Sequence, residues 1–555
     1  MKTLNSQNFH WTGNITFSLF LDGSSHKLVR VTLDDSNTLS KRVTRDGFYI
    51  VIRILVYAFA FTQFSYVTAD PDLWGHIRFG QDIWEQGRVH DIDPFSYTAE
   101  GHTWINHEWL MEVSLYLIYN LSDSTGLLIF KGLLGIFIVH LLSSIYFARA
   151  GNITVYLILF ALIIPVMAPG FMTRPHLATF LCLTLLVYVL QKFFDGSHRI
   201  IKWTPFIMLL WVNSHGGVVA GLGIFGVITA VEVIRCYKTE ENQGILLLKY
   251  FLLSGLAVLI NPYGYTLWLF FIQSLGVSRT ISEWAPIVLT DFSHWQYKVL
   301  VLLFLGTFLL PNKKRVWEIL ILVPAIIYGF RHQRHTILTT ILLTPYLLLH
   351  YGHWLRWDIK PYYDRFSNHF HWAVQGVLGV FVAFTIGMQL NQYAVDDFKI
   401  RVDHLVYPTY AAQFMEANGL EGNLVVPFNW GEYMIWKSPN SRVSIDGRFR
   451  TVYPENIIAM NQAFAYGKPE GLALLRDFPT ILVLTKKHEA PHTFMETIPE
   501  WVKIYQDPIS KLFIRTQESA PDHPLWKRIL ENKRKRNDGK AFVRLNHPPP
   551  WAFPG

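Results

Sequence analysis

Long apolar runs separated by short polar turns dominate the chain up to about residue 390. A helix needs about 20 residues to cross a hydrocarbon core of about 30 Å, and most of these runs reach or approach that length. The pattern predicts about eleven membrane-spanning helices, and the shorter ones are expected to be broken or tilted. The predicted spans are 49–65, 126–147, 153–169, 176–194, 203–213, 218–235, 249–262, 297–310, 316–330, 335–350 and 371–390.

Basic residues mark every second connection between the predicted spans. Lysine and arginine concentrate in the cytoplasmic loops of membrane proteins, so this alternation predicts a topology. The polar segment 1–48, with a short hairpin around 15–33, is expected in the cytoplasm, and the region after residue 390 is expected outside it. The basic positions assigned to the cytoplasmic side are Lys27, Arg30, Lys41, Arg42, Arg45, Arg149, Lys192, Arg199, Lys202, Arg235, Lys238, Lys249, Lys313, Lys314, Arg315, Arg356, Lys360 and Arg365.

Composition supports a polytopic α-helical membrane protein. Hydrophobic residues make up 51% of the chain and charged residues 16%, and the mean hydropathy is +0.23. A net charge of +8 would favour nucleic-acid binding in a soluble protein. Here the basic residues lie mostly in short loops, where they set the membrane topology. The expected partners are therefore membrane lipids, and no nucleic acid is expected. Cys182 and Cys236 lie in or beside predicted spans and imply no disulfide framework.

The segment 66–125 is predicted to be a large outward-facing loop, called the first loop below. Its part up to Trp109 contains many more acids than bases. The acids are Asp70, Asp72, Asp82, Glu85, Asp91, Asp93, Glu100 and Glu108, and the bases are Arg78 and Arg88. Several carboxylates therefore lie where the chain leaves the membrane, on the same side as the turns "TRPH", "NSHGG", "NPYGY", "SEW" and "RHQRH".

The turn "RHQRH" at 331–335 places arginines on the outward side, against the positive-inside trend. Arg331 shares a helical face with Arg334 and with His335. Cations at membrane depth usually mark a functional site, and the arginine fork matches phosphate oxygens. We expect this group, together with Arg174, to hold the phosphate of a lipid-linked substrate. The alternatives are contact with lipid headgroups and pairing with the acidic first loop.

Two further outward turns supply candidate binding residues. His215 in "NSHGG" adjoins two glycines, which would bring bare backbone and an imidazole close to a cavity. A tight turn between helices is the alternative explanation. Glu283 in "RTISEWAP" is a candidate substrate contact.

The first loop, the many spans and the C-terminal extension together resemble the GT-C superfamily of membrane glycosyltransferases, which take sugars from polyprenyl-phosphate or polyprenyl-diphosphate carriers. The local likeness is to oligosaccharyltransferase catalytic subunits, where an Asp-Pro pair precedes aromatic residues and an arginine. Asp70, Pro71, Trp74 and Arg78 fit that arrangement. The Asp-Glu pair of protein mannosyltransferases is absent, and "NWGEY" at 429–433 is only distantly similar to the acceptor motif of oligosaccharyltransferases.

The resemblance implies that Asp70 and Asp72 are the catalytic residues, as base or metal ligands, and that Arg78 contacts substrate. Asp91, Asp93 and Glu108 are possible additional acids. Sugar transfer from a phosphate needs a base for the acceptor and compensation of the charge that develops on the leaving group. Asp70 and Asp72, with His76 or His107, could also hold Mg²⁺ or Mn²⁺, although their spacing is not specific for a metal.

The chain also resembles a broad group of uncharacterised bacterial membrane proteins that carry "DPDLW", "DPFSYT" and "HEWL", found here at 70–74, 93–98 and 107–110. This likeness implies a location in the bacterial inner membrane, with the C-terminal domain in the periplasm. It does not imply a reaction.

Beyond residue 390 the pattern changes to short β-rich runs between helical segments. We predict a small extracytoplasmic α/β domain with a partly parallel sheet over 391–516, followed by a basic, proline-rich and disordered tail over 517–555. The stretch 501–516 is expected to form two strands about an Asp507-Pro508 turn. Asp446 and Arg448 in "SIDGRFR" end a strand, either as ligand contacts or as a structural turn.

Three functions remain open on the sequence. The first is a glycosyltransferase that uses a polyprenyl-linked donor and an extracytoplasmic acceptor such as a glycan, lipid or protein. The second is a transporter or flippase of lipid-linked saccharides, which would place ionisable residues near the bilayer midplane and often shows an internal repeat. The third is a non-catalytic envelope assembly protein.

Overall fold

A computed structural model describes residues 36–148, 151–239, 242–275, 284–395, 398–516 and Phe553. The predicted hairpin around 15–33 and, apart from Phe553, the predicted disordered tail lie outside the described residues. Up to residue 395 the described chain is almost entirely helical. Its helices are α1 (Ser36–Phe64), α2 (Leu73–Gln86), α3 (Trp109–Phe147), α4 (Ile153–Met167), α5 (His176–Phe194), α6 (Thr204–Val212), α7 (Val218–Thr239), α8 (Gln243–Ala257), α9 (Thr266–Leu275), α10 (Trp295–Gly306), α11 (Val316–Arg331), α12 (Thr336–Trp354), α13 (Ile359–Tyr363) and α14 (Asn368–Val395).

The apolar helices make this a membrane protein. Among the described residues, four helices have both the length and the apolar composition to cross a bilayer: Trp109–Phe147, Ile153–Gly170, His176–Phe194 and Val218–Tyr237. Shorter apolar helices cover Phe48–Phe64, Gln243–Ala257, Trp295–Leu309 and His369–Phe384. A helix lies at each predicted span, but the predicted number of about eleven crossings is not confirmed, because many of these helices are shorter than the roughly 20 residues that a crossing needs.

The first loop is largely helical. Helix α2 buries Trp74, Ile77 and Phe79, and it ends at Gly87, whose φ of 67° lies in the left-handed region that glycine adopts without strain. Helix α3 begins at Trp109, and its backbone leaves helical geometry at Ser122 and Asp123. The loop therefore packs α2 against the first part of α3 instead of extending freely from the membrane.

The residues from 398 to 516, called the outer domain below, form a small α/β unit, as the sequence predicts. The sheet has five strands in the order β2-β1-β3-β5-β4; β1 pairs in parallel with β2 and β3, and β5 pairs antiparallel with β3 and β4. Asp507 accepts hydrogen bonds from Ile509 and Ser510 in the turn of the predicted hairpin. The elements are α15 (Thr409–Asn418), β1 (Asn423–Val425), α16 (Gly431–Lys437), β2 (Arg442–Val443), α17 (Glu455–Ala465), α18 (Ala473–Arg476), β3 (Leu482–Lys486), α19 (Pro491–Phe494), β4 (Trp501–Gln506) and β5 (Ser510–Arg515).

The outer domain packs directly on the first loop. Ser96 forms a parallel β-bridge with Val443 at the edge of the sheet. The fully buried Trp74 of α2 lies 4.8 Å, centroid to centroid, from the rings of both Tyr407 and Tyr433. Because aromatic rings that are buried together contribute much of the packing energy of an interface, loop and domain behave as one folded unit. This packing places residues of the outer domain next to the acidic residues of the first loop.

Candidate functional site

Two aspartates of the first loop meet one arginine from a distant turn. Arg174, just before α5, binds both oxygens of Asp70, with Nε–Oδ1 and Nη2–Oδ2 distances of 2.6 and 2.7 Å. Its third nitrogen, Nη1, lies 2.7 Å from Asp72 Oδ2. One guanidinium therefore bridges two carboxylates and offsets part of their mutual repulsion. The side chain of Asp72 keeps 23% exposure, whereas that of Asp70 keeps only 8%.

Glu432 of α16 extends this group from the outer domain. Its side chain is buried, and its carboxyl group lies next to Gly75 of α2. The carboxyl groups of Glu432 and Asp72 both lie next to Gly447. Burial, followed by the negative charges of Asp72 and Asp446, raises the pKa of Glu432 well above its usual value. The protonated, neutral form of Glu432 is therefore favoured beside Asp72.

A second polar group lies at the junction of α2 and α3. His76 Nδ1 lies 3.0 Å from Glu112 Oε1, and Asn106 donates a hydrogen bond of 2.6 Å to the other oxygen of Glu112. Burial alone would lower the pKa of His76, but the hydrogen bond with Glu112 and the charges of Glu112, Glu108 and Asp72 outweigh it, so the pKa is raised. His76 therefore tends toward the imidazolium form in this setting.

His215 connects the "NSHGG" turn to the same group. Its Nδ1 accepts a hydrogen bond from the backbone of Gly217 at 3.0 Å and one from Thr179 at 2.8 Å. The ring proton must therefore be on Nε2, which lies 3.5 Å from Glu108 Oε1. Burial, then the positive charge of His107 and other neighbours, lowers the pKa of His215 well below its usual value. His215 is a neutral group that points an N–H at Glu108.

One set of these residues has the geometry of a metal site. Among the described residues, His76, Glu108 and Glu112 each offer a ligand atom, and these three atoms lie within 4.8 Å of one another. One imidazole and two carboxylates suit Mn²⁺ or another first-row divalent ion, so the donor set fits a divalent cation. The sequence assigned the metal to Asp70 and Asp72, and that assignment stays a prediction; both oxygens of Asp70 bind Arg174.

The arginine group of "RHQRH" is only partly drawn into this region. The charge of Arg334 acts on His215 and His176, and its guanidinium lies 5.2 Å from the centre of the Trp284 ring. The His335 ring also contacts Trp284, at 5.6 Å. The Arg331 side chain is exposed, and the structure places it in none of these contacts. The predicted substrate contact Glu283 lies outside the described residues.

The remaining predicted residues lie apart from Asp70 and Asp72. Arg78 donates to Gln81 on its own helix at 3.3 Å, and Asp91 is exposed. Asp93 forms a buried ion pair of 2.6 Å with Arg448. Arg448 also binds both oxygens of Asp446. Asp93 and Arg448 therefore hold the first loop to the outer domain.

Sequence reasoning did not select Glu112 or Glu432. Glu112 lies four residues after Glu108 in a segment predicted as loop, so the shared helical face of these two acids was not apparent. Glu432 was visible only through the distant likeness of "NWGEY" to an acceptor motif. Its proximity to Asp72 depends on how the outer domain packs.

Solved structures that are similar to this chain include two of an archaeal oligosaccharyltransferase. One is the oligosaccharyltransferase of Archaeoglobus fulgidus in the apo form, with a TM-score of 0.49 and 10% identity over 78% of this chain and 69% of that one. The other is the archaeal oligosaccharyltransferase AglB from the same organism in complex with an inhibitory peptide and a dolichol-phosphate, with a TM-score of 0.49 and 11% identity over 79% and 69%. No protein family and no curated protein sequence matches the chain.

Both of these structures are oligosaccharyltransferases, the group that the first loop resembles. A TM-score of 0.49 carries no argument about activity. The activity is therefore inferred from the residues of this chain alone.

Proposed function

We propose that the protein is a membrane glycosyltransferase that moves a sugar from a polyprenyl-phosphate or polyprenyl-diphosphate carrier to an acceptor outside the cytoplasm. The observation that supports this function is the group formed by Asp70, Asp72 and Arg174 beside His76 and Glu108. Carboxylates, a guanidinium and imidazoles of shifted pKa packed together where helices begin are typical of a catalytic centre. Burial of this kind would be costly if it served stability alone.

Asp72 is the base in this proposal. Its side chain keeps partial exposure while Arg174 fixes one of its oxygens. As the sugar transfers, the acceptor O–H or N–H gives its proton to Asp72 and its electron pair to the anomeric carbon. The bond from that carbon to the phosphate oxygen breaks, and the phosphate leaves with the electrons. Asp70, with both oxygens on Arg174, positions Arg174 and through it Asp72.

Positive charge for the phosphate is close by. Helices α3, α5, α7 and α12 begin within three residues after Glu108, Arg174, His215 and His335, and their N-terminal ends carry partial positive charge. Arg334 acts on the same region. A divalent cation held by His76, Glu108 and Glu112 would add charge compensation for the leaving phosphate when bound. We assign Arg334 to the donor phosphate and expect its loss to weaken donor binding.

The test is sugar transfer by the purified full-length protein from labelled polyprenyl-phosphate sugars, with wild type beside Asp72→Asn and Asp70→Asn. We expect Asp72→Asn to lower turnover by about 10²–10⁴-fold, the usual contribution of a general base. The control is Asp477→Asn, since Asp477 is an exposed acid of the outer domain. Equal turnover in wild type and Asp72→Asn would contradict the assignment of the base. Movement of the saccharide lipid across vesicles without sugar transfer would favour a transporter instead.

A further inference from the structure

Glu432 is a buried acid for which the fold has made specific room. It lies on α16, and only 2% of the residue is exposed. Its Oε2 atom has no hydrogen-bond partner among the described residues. A buried polar atom without a partner costs free energy. The packing of Trp74 on Tyr433 would dock the outer domain without such an acid, so docking alone does not explain Glu432.

Two glycines from different segments admit the carboxyl group of Glu432. A Cβ atom on Gly75 of α2 would overlap with the Glu432 carboxyl. A Cβ atom on Gly447 would overlap with both Glu432 Oε1 and Asp72 Oδ1, each less than 3.0 Å from its position. The two carboxyl groups therefore converge on one point, and any larger residue at Gly447 would push them apart. Arg174 Nη1 lies 2.7 Å from the other oxygen of Asp72, Oδ2.

We propose that Glu432 is a positioning residue of the site, which the outer domain supplies to hold the second oxygen of Asp72 while Arg174 holds the first. The inference rests on the proposed function, since it makes Glu432 act through the base of the transfer reaction. It also gives the outer domain a direct part in the chemistry. Displacement of the outer domain would remove the Glu432 carboxyl from Asp72 and leave the direction of the proton that Asp72 accepts less defined.

The experiment is a double-mutant cycle in the full-length protein with Glu432→Ala and Asp72→Asn, measured both as sugar transfer and as the equilibrium constant of unfolding. We expect Glu432→Ala to lower kcat by about tenfold or more with little change in KM, because a misplaced catalytic group costs rate more than binding. Glu432→Gln, which keeps the size and a hydrogen-bonding group, should recover most of that loss. On the Asp72→Asn background Glu432→Ala should cost nothing further. The control substitution is Glu470→Gln, at an exposed acid of the outer domain.

The outcomes separate this inference from the proposed function. If Glu432→Ala lowers transfer by the same factor with and without Asp72, the two residues act independently and the inference is overturned. If the Ala and Gln variants lose activity equally, neither the size nor the hydrogen-bonding group of the Glu432 side chain explains its effect, and the inference is likewise overturned. If the wild type transfers no sugar, the proposed function fails. The double-mutant cycle measured by unfolding then still tests whether Glu432 and Asp72 interact. A coupling of about threefold or more in the unfolding constant supports the contact, and additivity overturns it.

Discussion

Arg448 gives the sharpest test of how the first loop is held to the outer domain. It is buried and binds Asp93 at 2.6 Å and Asp446 at 2.6 and 2.9 Å. Its guanidinium also lies 4.7 Å from the centre of the Trp104 ring. The two aspartate side chains have no solvent exposure. The substitution Arg448→Met keeps much of the apolar volume and removes the charge.

Removal of one partner from a buried ion pair typically costs about 3–5 kcal/mol, because a charge is left without compensation. A second way of estimating this free-energy cost gives a similar value. An aspartate of ordinary pKa can instead become protonated, at a cost of about 4 kcal/mol at neutral pH, since each pH unit above the pKa costs about 1.4 kcal/mol. We therefore expect Arg448→Met to lower the free energy of unfolding of the unit formed by loop and outer domain by about 3–5 kcal/mol.

The sign of the pH dependence follows from proton binding. In Arg448→Met the folded state retains a proton that the unfolded chain releases, so the pKa of the affected aspartate is raised in the folded state. Stability then falls as the pH rises above the unfolded pKa of about 3.9, by up to about 1.4 kcal/mol per pH unit for one group. The deficit relative to wild type should thus be smaller near pH 5 than near pH 7.

Pulse proteolysis of the full-length protein in urea measures this free energy. The matched control is Arg442→Met, because Arg442 also joins the outer domain to the first loop, but its partner Glu100 is exposed and such pairs contribute little. A loss below about 1 kcal/mol for Arg448→Met, or a deficit that does not change with pH, would refute the argument that the buried charge carries the stability.

Two further predictions concern the site itself. Gly447→Ala should lower sugar transfer by about tenfold or more, because the added Cβ atom would displace the carboxyl groups of Asp72 and Glu432. The control Gly223→Ala lies at a position with open space around it and should not lower transfer. Equal effects of the two substitutions in a transfer assay would contradict the prediction. Mn²⁺ should bind the purified protein with an affinity that falls as the pH is lowered, because His76 must lose a proton to become a ligand and its pKa is raised. Glu112→Gln should weaken that binding by about tenfold or more, and calorimetry that detects no Mn²⁺ binding, or binding independent of pH, would count against the site.

The sequence determined the elements and the general character of the protein, because these depend on local patterns. Apolar runs of helical length predict helices at the positions where they are found, and short β-rich runs predict the outer sheet with its Asp507 turn. The acids that follow the first apolar run are visible in the same way. Of the predicted site residues, Asp70, Asp72 and Arg174 meet; this is the pairing with the acidic first loop that the sequence offered as an alternative to phosphate binding.

Only the tertiary structure decided which polar groups are neighbours. Glu432 is separated from Asp72 by most of the chain, and they converge because the outer domain packs Tyr433 on Trp74. Asp93, a possible additional acid on the sequence, and Arg448, a candidate for a ligand contact or a structural turn, form a buried ion pair between the loop and the outer domain. Such pairings depend on distances between segments far apart in sequence, and hydrophobic periodicity reports only which face of each segment is buried, not what it is buried against.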